Sequence, residues 1–214
     1  MIISTGRGYI FVHIPKTGGT SLSLALEARA KKDDILIGDT PKAKQRRKRV
    51  QGIETHGRLW KHSTLTDIDG LVSIEDIQAQ FCFTLVRNPW NRAVSYYHWL
   101  QKQTFDHPSV QLAKSLNFGA FLTHPDTLIA FRRSPACSYM QTVDGQVKCD
   151  LYIRIEHFHE DVKPLQEHLG FSLKLPHENK SERKLDYRGY YSDQSAELLG
   201  AACAQDISQF GYRF

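Results

Sequence analysis

Several signatures that would assign a function at a glance are missing from this chain. Its 214 residues hold only 4 cysteines. Cys82, Cys137, Cys149 and Cys203 show no C-x-x-C spacing, which excludes the usual zinc and dithiol redox sites and a disulfide-dense scaffold. Free thiols in a reducing compartment are expected, with Cys137 and Cys149, which flank a hairpin signal, the one pair placed to meet. No apolar run approaches the roughly 20 residues that cross a bilayer, and the N-terminus lacks the basic-then-apolar order of a signal peptide. There is no internal repeat and no low-complexity tract. A Walker loop is absent too: that motif sets its lysine after the glycines, whereas here Lys16 precedes them and no glycine stands in the 5 residues before it. No carboxylate pair lies beside this lysine, and His157 and His159 sit on a polar segment where solvated side chains are the rule, so no metal site is expected.

What the chain does contain is the composition of a globular protein, 41% hydrophobic and 24% charged. Its length suits one α/β domain over residues 1–214, burying roughly 70% of the unfolded surface. A net charge of +5 and a pI near 9.0 favour anionic partners. Much of that charge is local, since 6 of the 8 residues from Lys42 to Arg49 are basic. They lie in an insertion of about 38–52, bounded by Gly38, Pro41 and Gly52 and without apolar periodicity. It reads as a solvated, mobile segment, or as a landing strip for an acidic acceptor or for nucleic acid held by charge alone.

Two segments carry chemistry. In the first, the apolar run Ile10-Phe11-Val12-His13-Ile14 breaks into Pro15-Lys16-Thr17-Gly18-Gly19-Thr20-Ser21 and then a helix. Glycines let the backbone approach an anion, the lysine and hydroxyls add donors, and the amides of the helix start face the same point. A Gly-rich turn that merely joins strand to helix is the plainer alternative. In the second, Phe81 to Val86 leads to Arg87-Asn88-Pro89-Trp90-Asn91-Arg92-Ala93-Val94-Ser95. Pro89 suits a first helical turn, and Trp90, Ala93, Val94 and Tyr97 share one face. Arg87 at the strand end and Ser95 two turns on are then placed to grip a phosphate, the arginine with two parallel hydrogen bonds. A buried structural arginine is the alternative there.

Coarse periodicity predicts strands over 9–14, 35–37, 51–55 and 81–86, and helices over 19–31, 90–102, 109–116, 118–123, 156–169 and 193–209. A short helix is expected after Ser63 or Thr64. Asp144-Gly145 signals a hairpin between 139–143 and 146–155. The expectation is a P-loop-like three-layer α/β fold, its mainly parallel sheet flanked by helices, with a β-hairpin addition and anion-binding turns at strand C-termini.

Together the two segments resemble the cofactor elements of sulfotransferases that use 3′-phosphoadenosine 5′-phosphosulfate (PAPS), particularly the carbohydrate sulfotransferase branch. The resemblance implies that Lys16, Thr17, Gly18, Gly19, Thr20 and Ser21 hold the 5′-phosphosulfate and that Arg87 and Ser95 hold the 3′-phosphate. It continues weakly through Ile153-Arg154-Ile155-Glu156, His177 to Ser181 and Asp206 to Tyr212. Lys16 is then a catalytic residue that stabilises the leaving group, with 3′-phosphoadenosine 5′-phosphate (PAP) as product and no metal required. The implied partner is a small-molecule or glycan acceptor with a hydroxyl group, with nucleic acid disfavoured. The implied location is cytoplasmic, where PAPS is made, or the lumenal domain of a Golgi-anchored enzyme.

A hydroxyl acceptor needs a base, and two histidines lie between the elements. By resemblance to glycan 2-O-sulfotransferases, His62 is the better match, since it directly precedes Ser63-Thr64-Leu65; His56 and Glu54 remain open. His13 reads as a core histidine near the site. Ser181 and Arg183, in the basic and tyrosine-rich stretch from Asn179 to Tyr191, are further candidates for the adenosine phosphate. Two other classes stay open: a P-loop kinase or nucleotide hydrolase, which requires magnesium, and a non-catalytic polyanion-binding module built on residues 42–49.

Overall fold

The computed structural model describes residues 1–175 and 186–214. The chain forms two compact units, one of Met1–Val86 with Ala136–Glu178 and one of Arg87–Pro135 with Asn179–Phe214.

The first unit is built on a five-stranded sheet of β1 (Ile2–Ser4), β2 (Tyr9–Val12), β3 (Ile35–Leu36), β4 (Phe81–Val86) and β5 (Leu151–Arg154), in the order β3-β1-β2-β4-β5. It is mixed: β2, β4 and β5 run parallel, whereas β1 pairs antiparallel with both β2 and β3. β2 is buried throughout, as a strand covered on both faces must be. Its side chains alternate between two cores. Tyr9 and Phe11 join Phe83, Leu85 and Ile153 against Leu22 and Leu26 of α1 (Gly19–Glu27). Ile10 and Val12 face Leu65, Ile68, Met140 and Ile77, the last from α3 (Ile74–Ala79). The hydroxyl of buried Thr84 donates to the Val12 carbonyl at 2.7 Å. The strand ends that lead into the two motifs are therefore side by side.

Several local expectations change. No strand forms over 51–55. The helix expected after Ser63 or Thr64 is a run of turns. Thr64 and Asp67 do make the reciprocal bonds of a capping box, the Thr64 amide donating to the Asp67 carboxylate (2.7 Å) and the Asp67 amide to the Thr64 hydroxyl (3.1 Å), but Gly70, in the left-handed region at φ +93°, turns the chain away within two turns. The helix starts later, as α3, with Ser73 as its cap. The basic insertion is ordered rather than a featureless segment: α2 (Pro41–Arg46) begins with Thr40 accepting from the Ala43 amide and Pro41 in its first turn, and a 3-10 turn follows over Arg47–Val50. The Asp144-Gly145 turn forms with Gly145 at φ +85°, but only one bridge, Gln141 to Val147, spans it. The later part of the predicted second arm is β5 of the central sheet. The helix expected over 156–169 is split at Val162, where Pro164 removes an amide from the next turn.

The second unit is helical among its described residues. α4 (Pro89–Gln101) buries Trp90, Ala93, Val94, Tyr97 and Leu100. These pack with Phe118, Phe121 and Leu122 of the helix Phe118–Thr123 and with Ala196 and Leu199 of the helix Asp193–Ala202. The Trp90 indole donates to the Ala196 carbonyl at 2.9 Å. Ser192 caps Asp193–Ala202 in a capping box with Ser195.

Candidate active site

The first candidate element grows out of β2. After Ile14 the chain reverses tightly, with Lys16 in the left-handed region at φ +66° and Gly18 at φ +91°. A non-glycine residue there is strained, and such strain clusters at ligand sites. The Thr17 side chain is buried and its hydroxyl donates back to the Ile14 carbonyl at 2.9 Å. Thr17 therefore braces the loop with its side chain. Gly18 is the N-cap of α1 and supplies no side-chain cap. The first intrahelical amide bonds are those of Ser21 and Leu22 to the Gly18 carbonyl (3.1 and 3.5 Å), so the amides of Gly19 and Thr20 precede the first intrahelical donor. Thr20 is exposed and Ser21 half-buried, which leaves both hydroxyls at the mouth of this turn.

Close packing dictates the two glycines. A Cβ on Gly18 would come 2.2 Å from Ile155 Cδ1, and one on Gly19 would come 2.0 Å from His13 Cδ2. His13 thus packs directly under the loop. It is 6% exposed, stacks on Phe11, and lies edge-on to the His62 ring at 4.6 Å between centroids. Burial, with His62 and Lys16 nearby, holds its pKa well below the usual histidine value.

His62 Nδ1 is 2.7 Å from the His13 carbonyl oxygen. Because a carbonyl only accepts, Nδ1 carries the proton and Nε2 keeps its lone pair. Burial lowers the His62 pKa from 6.5 to about 4; the bond to His13 opposes that shift and Lys61 adds to it. Trp60 sets its ring edge-on to His62 at 4.9 Å and is 45% exposed. Of the predicted bases, then, His62 sits one ring away from the loop, whereas His56 and Glu54 are exposed and the His56 amide bonds the Asp69 carbonyl. Sequence reading missed Trp60, and only its position two residues before His62 could have marked it.

The second candidate element lies in the second unit. Arg87 Nη2 donates to Asn91 Oδ1 at 3.0 Å, and Ser95 follows Asn91 by one more helical turn, so Asn91 and Ser95 share a face. Asn91 was not singled out from sequence, although its spacing of four from both Arg87 and Ser95 was readable. Here the helix start is closed: Asn88 Oδ1 accepts from the amides of Trp90 and Asn91, with Pro89 at the first position. Ser181 and Arg183 lie outside the described residues.

Among the described residues no group of three or more His, Cys, Asp or Glu side chains is arranged to hold a metal, and no helix is long and apolar enough to cross a membrane. All four cysteines are free thiols, Cys137 and Cys149 included.

Comparison with known proteins supplies an independent line. The profile described as "Sulfotransferase family" matches residues 1–199. No curated protein matches. Among solved structures, the mouse sulfotransferase SULT7A1, in complex with PAP, superimposes with a TM-score of 0.53 at 17% identity, over 94% of this chain and 84% of that one. At this identity the likeness is one of fold.

Proposed function

The chain belongs to the sulfotransferase family, and from that premise we propose that it transfers the sulfuryl group of PAPS to an acceptor hydroxyl, on a carbohydrate or glycolipid, by in-line displacement. The observation that carries this reading is the loop Lys16 to Ser21: a strained lysine, two glycines with no room for a side chain, and a helix start with no side-chain cap. These features fit a phosphosulfate, which needs backbone donors at close range and one cation. The solved relative named above holds PAP, the product left by such a donor.

PAPS supplies an activated sulfuryl group on a phosphate leaving group. The residues of this chain then divide the work. Lys16 neutralises charge that develops on the bridging oxygen, which is where preorganised electrostatics accelerate such a transfer most. The amides of Gly19 and Thr20 and the hydroxyls of Thr20 and Ser21 orient the 5′-phosphate. Arg87 and Ser95 bind the 3′-phosphate, Asn91 holding the guanidinium in line. His62 accepts the acceptor's proton at Nε2, oriented by the His13 carbonyl. Its neutrality at physiological pH follows from burial, and an anion bound in the adjoining loop raises its basicity as the reaction requires. The free cysteines support a reducing, cytoplasmic setting.

The test is calorimetric titration with PAP, with ADP in the presence and absence of magnesium as the control, on the wild type and Arg87→Ala. Tight binding of PAP, weaker binding of ADP and loss on removing Arg87 are expected. Equal binding of both nucleotides, or ADP binding that depends on magnesium, overturns the reading in favour of a kinase or hydrolase.

A further inference from the structure

The turn from Lys16 to Ser21 is braced from two directions. Two braces belong to its own stretch of chain: the Thr17 hydroxyl donates to the Ile14 carbonyl, and the His13 ring fills the space beside Gly19. Both travel with the turn if it shifts as a body. A third brace comes from β5, which lies beyond β4 in the sheet. Ile155, the first residue after that strand, puts its Cδ1 where a Gly18 Cβ would stand, with Leu85 Cδ1 of β4 at 3.9 Å from the same point.

Ile155 is itself anchored. The chain leaves β5 at Arg154 and enters a 3-10 turn over Ile155–His157. One carboxylate holds that corner: Asp161 accepts from the Arg154 amide at 3.0 Å, from Nε at 2.7 Å and from Nη2 at 2.9 Å. A bidentate guanidinium pair with a backbone bond added is a stiff bracket.

Gly18 is where pressure on the turn has most leverage. At φ +91° it occupies a region in which a glycine has neighbouring conformations open to it, and its carbonyl is the first acceptor of α1. A small rotation there swings the amides of Gly19 and Thr20 together. We infer that Ile155 is a positioning residue for the bound nucleotide: it pins Gly18 from the end of β5 and sets the direction of the Gly19 and Thr20 amides toward the 5′-phosphate, with Asp161 anchoring it through Arg154. The inference rests on the sulfotransferase reading for the identity of that nucleotide, and it gives the stretch Ile153 to Glu156 a role at the same site.

The experiment is calorimetric titration of the full chain with PAP, with 5′-AMP, which carries only the phosphate assigned to the turn, and with 3′-AMP, which carries only the other. Ile155→Ala is expected to weaken PAP and 5′-AMP by about tenfold and to leave 3′-AMP unchanged. Ile155→Met, whose unbranched chain reaches the same point, is expected to stay within about threefold of the wild type, and Asp161→Asn to lose about threefold on PAP and 5′-AMP alone. Should Ile155→Ala lower the folded fraction, Ile155→Val removes only the contacting methyl group and is expected to weaken the same two ligands by about threefold. The amide resonances of Gly19 and Thr20 are expected to move in these variants more than those of Asn91 and Ser95. Equal weakening of all three nucleotides, or a lower melting temperature with every affinity unchanged, marks a merely structural side chain and overturns the inference. So does a wild type that does not bind 5′-AMP. Failure of the parent reading is distinct: PAP bound no more tightly than 5′-AMP by the wild type removes the sulfotransferase assignment, while a selective loss of 5′-AMP in Ile155→Ala keeps the brace in place.

Discussion

The two strand-turn-helix elements are built on parallel neighbours, yet they present an anion with opposite chemistry. At the end of β2 the helix start is open: Gly18 brings no side-chain cap, the backbone is strained at Lys16, and main-chain amides stand free of any capping side chain. At the end of β4 the helix start is closed: Asn88 takes two amides for itself and Pro89 occupies the first helical position. What is offered to a ligand there is side chains, Arg87 and Ser95. On the proposed reading, a phosphosulfate whose bond must break is served by a rigid cradle that cannot reorganise, whereas a phosphate that only anchors the nucleotide is served by a charged fork.

This contrast can be broken at either end. Lys16→Ala removes the one cation of the open turn and is expected to lower kcat by about 10²–10³-fold, with PAP affinity reduced less than the rate; steady-state kinetics against equilibrium titration separate the two. Arg87→Ala is expected to weaken PAP by about 10- to 100-fold with a smaller effect on kcat at saturating donor. Gly19→Ala drives a methyl group into the His13 ring and is expected to cost about 1–3 kcal/mol in thermal or denaturant unfolding. Asn88→Ala opens the second helix start and is expected to cost about 1 kcal/mol. If it instead abolishes PAP binding while the protein remains folded, the division between backbone and side-chain recognition is wrong.

Acid sharpens the comparison, since the open turn adjoins buried His13 and half-buried His62. Both His13 and His62 have folded-state pKa values below the ordinary 6.5. As pH falls below 6.5 the unfolded chain takes up protons that the folded chain refuses, so stability drops from pH 6.5 to about 4, where His62 itself titrates. In the pH profile of kcat/KM for the donor, which reports the free enzyme, activity that depends on neutral His62 should hold through pH 6.5 and lose its base only near pH 4. An acid limb at 6.5 in that profile, on protein shown to be folded, would rule His62 out as that base.

Much of this was legible in the sequence because the signals were local. The near-continuous apolar run Phe81–Val86 is a strand over those very residues, the helix Phe118–Thr123 has its expected bounds, and Gly170 and Gly211 end helices in the left-handed conformation. The Lys16 to Ser21 turn was readable for the same reason, its glycines, lysine and hydroxyls being consecutive. Illegible features depended on partners far along the chain. Order in α2 comes from carbonyls of residues 27 to 34, and orientation of His62 comes from a carbonyl 49 residues away. The helix Pro125–Arg132 was passed over although His124 caps it through Nδ1 and Pro125 opens it, since a histidine cap is a weak sequence signal. Trp60 has no local pattern at all; it matters through what it touches.

That contact makes the molecule its own optical instrument. An indole lying edge-on to an imidazole is quenched when the imidazole gains a proton, and Trp60 is exposed whereas Trp90 is buried. The emission lost in Trp60→Phe therefore reports the charge on His62 directly, and titrating it with and without PAP reads the coupling between loop and base as a shift in colour and brightness, with no turnover and no acceptor in the cuvette.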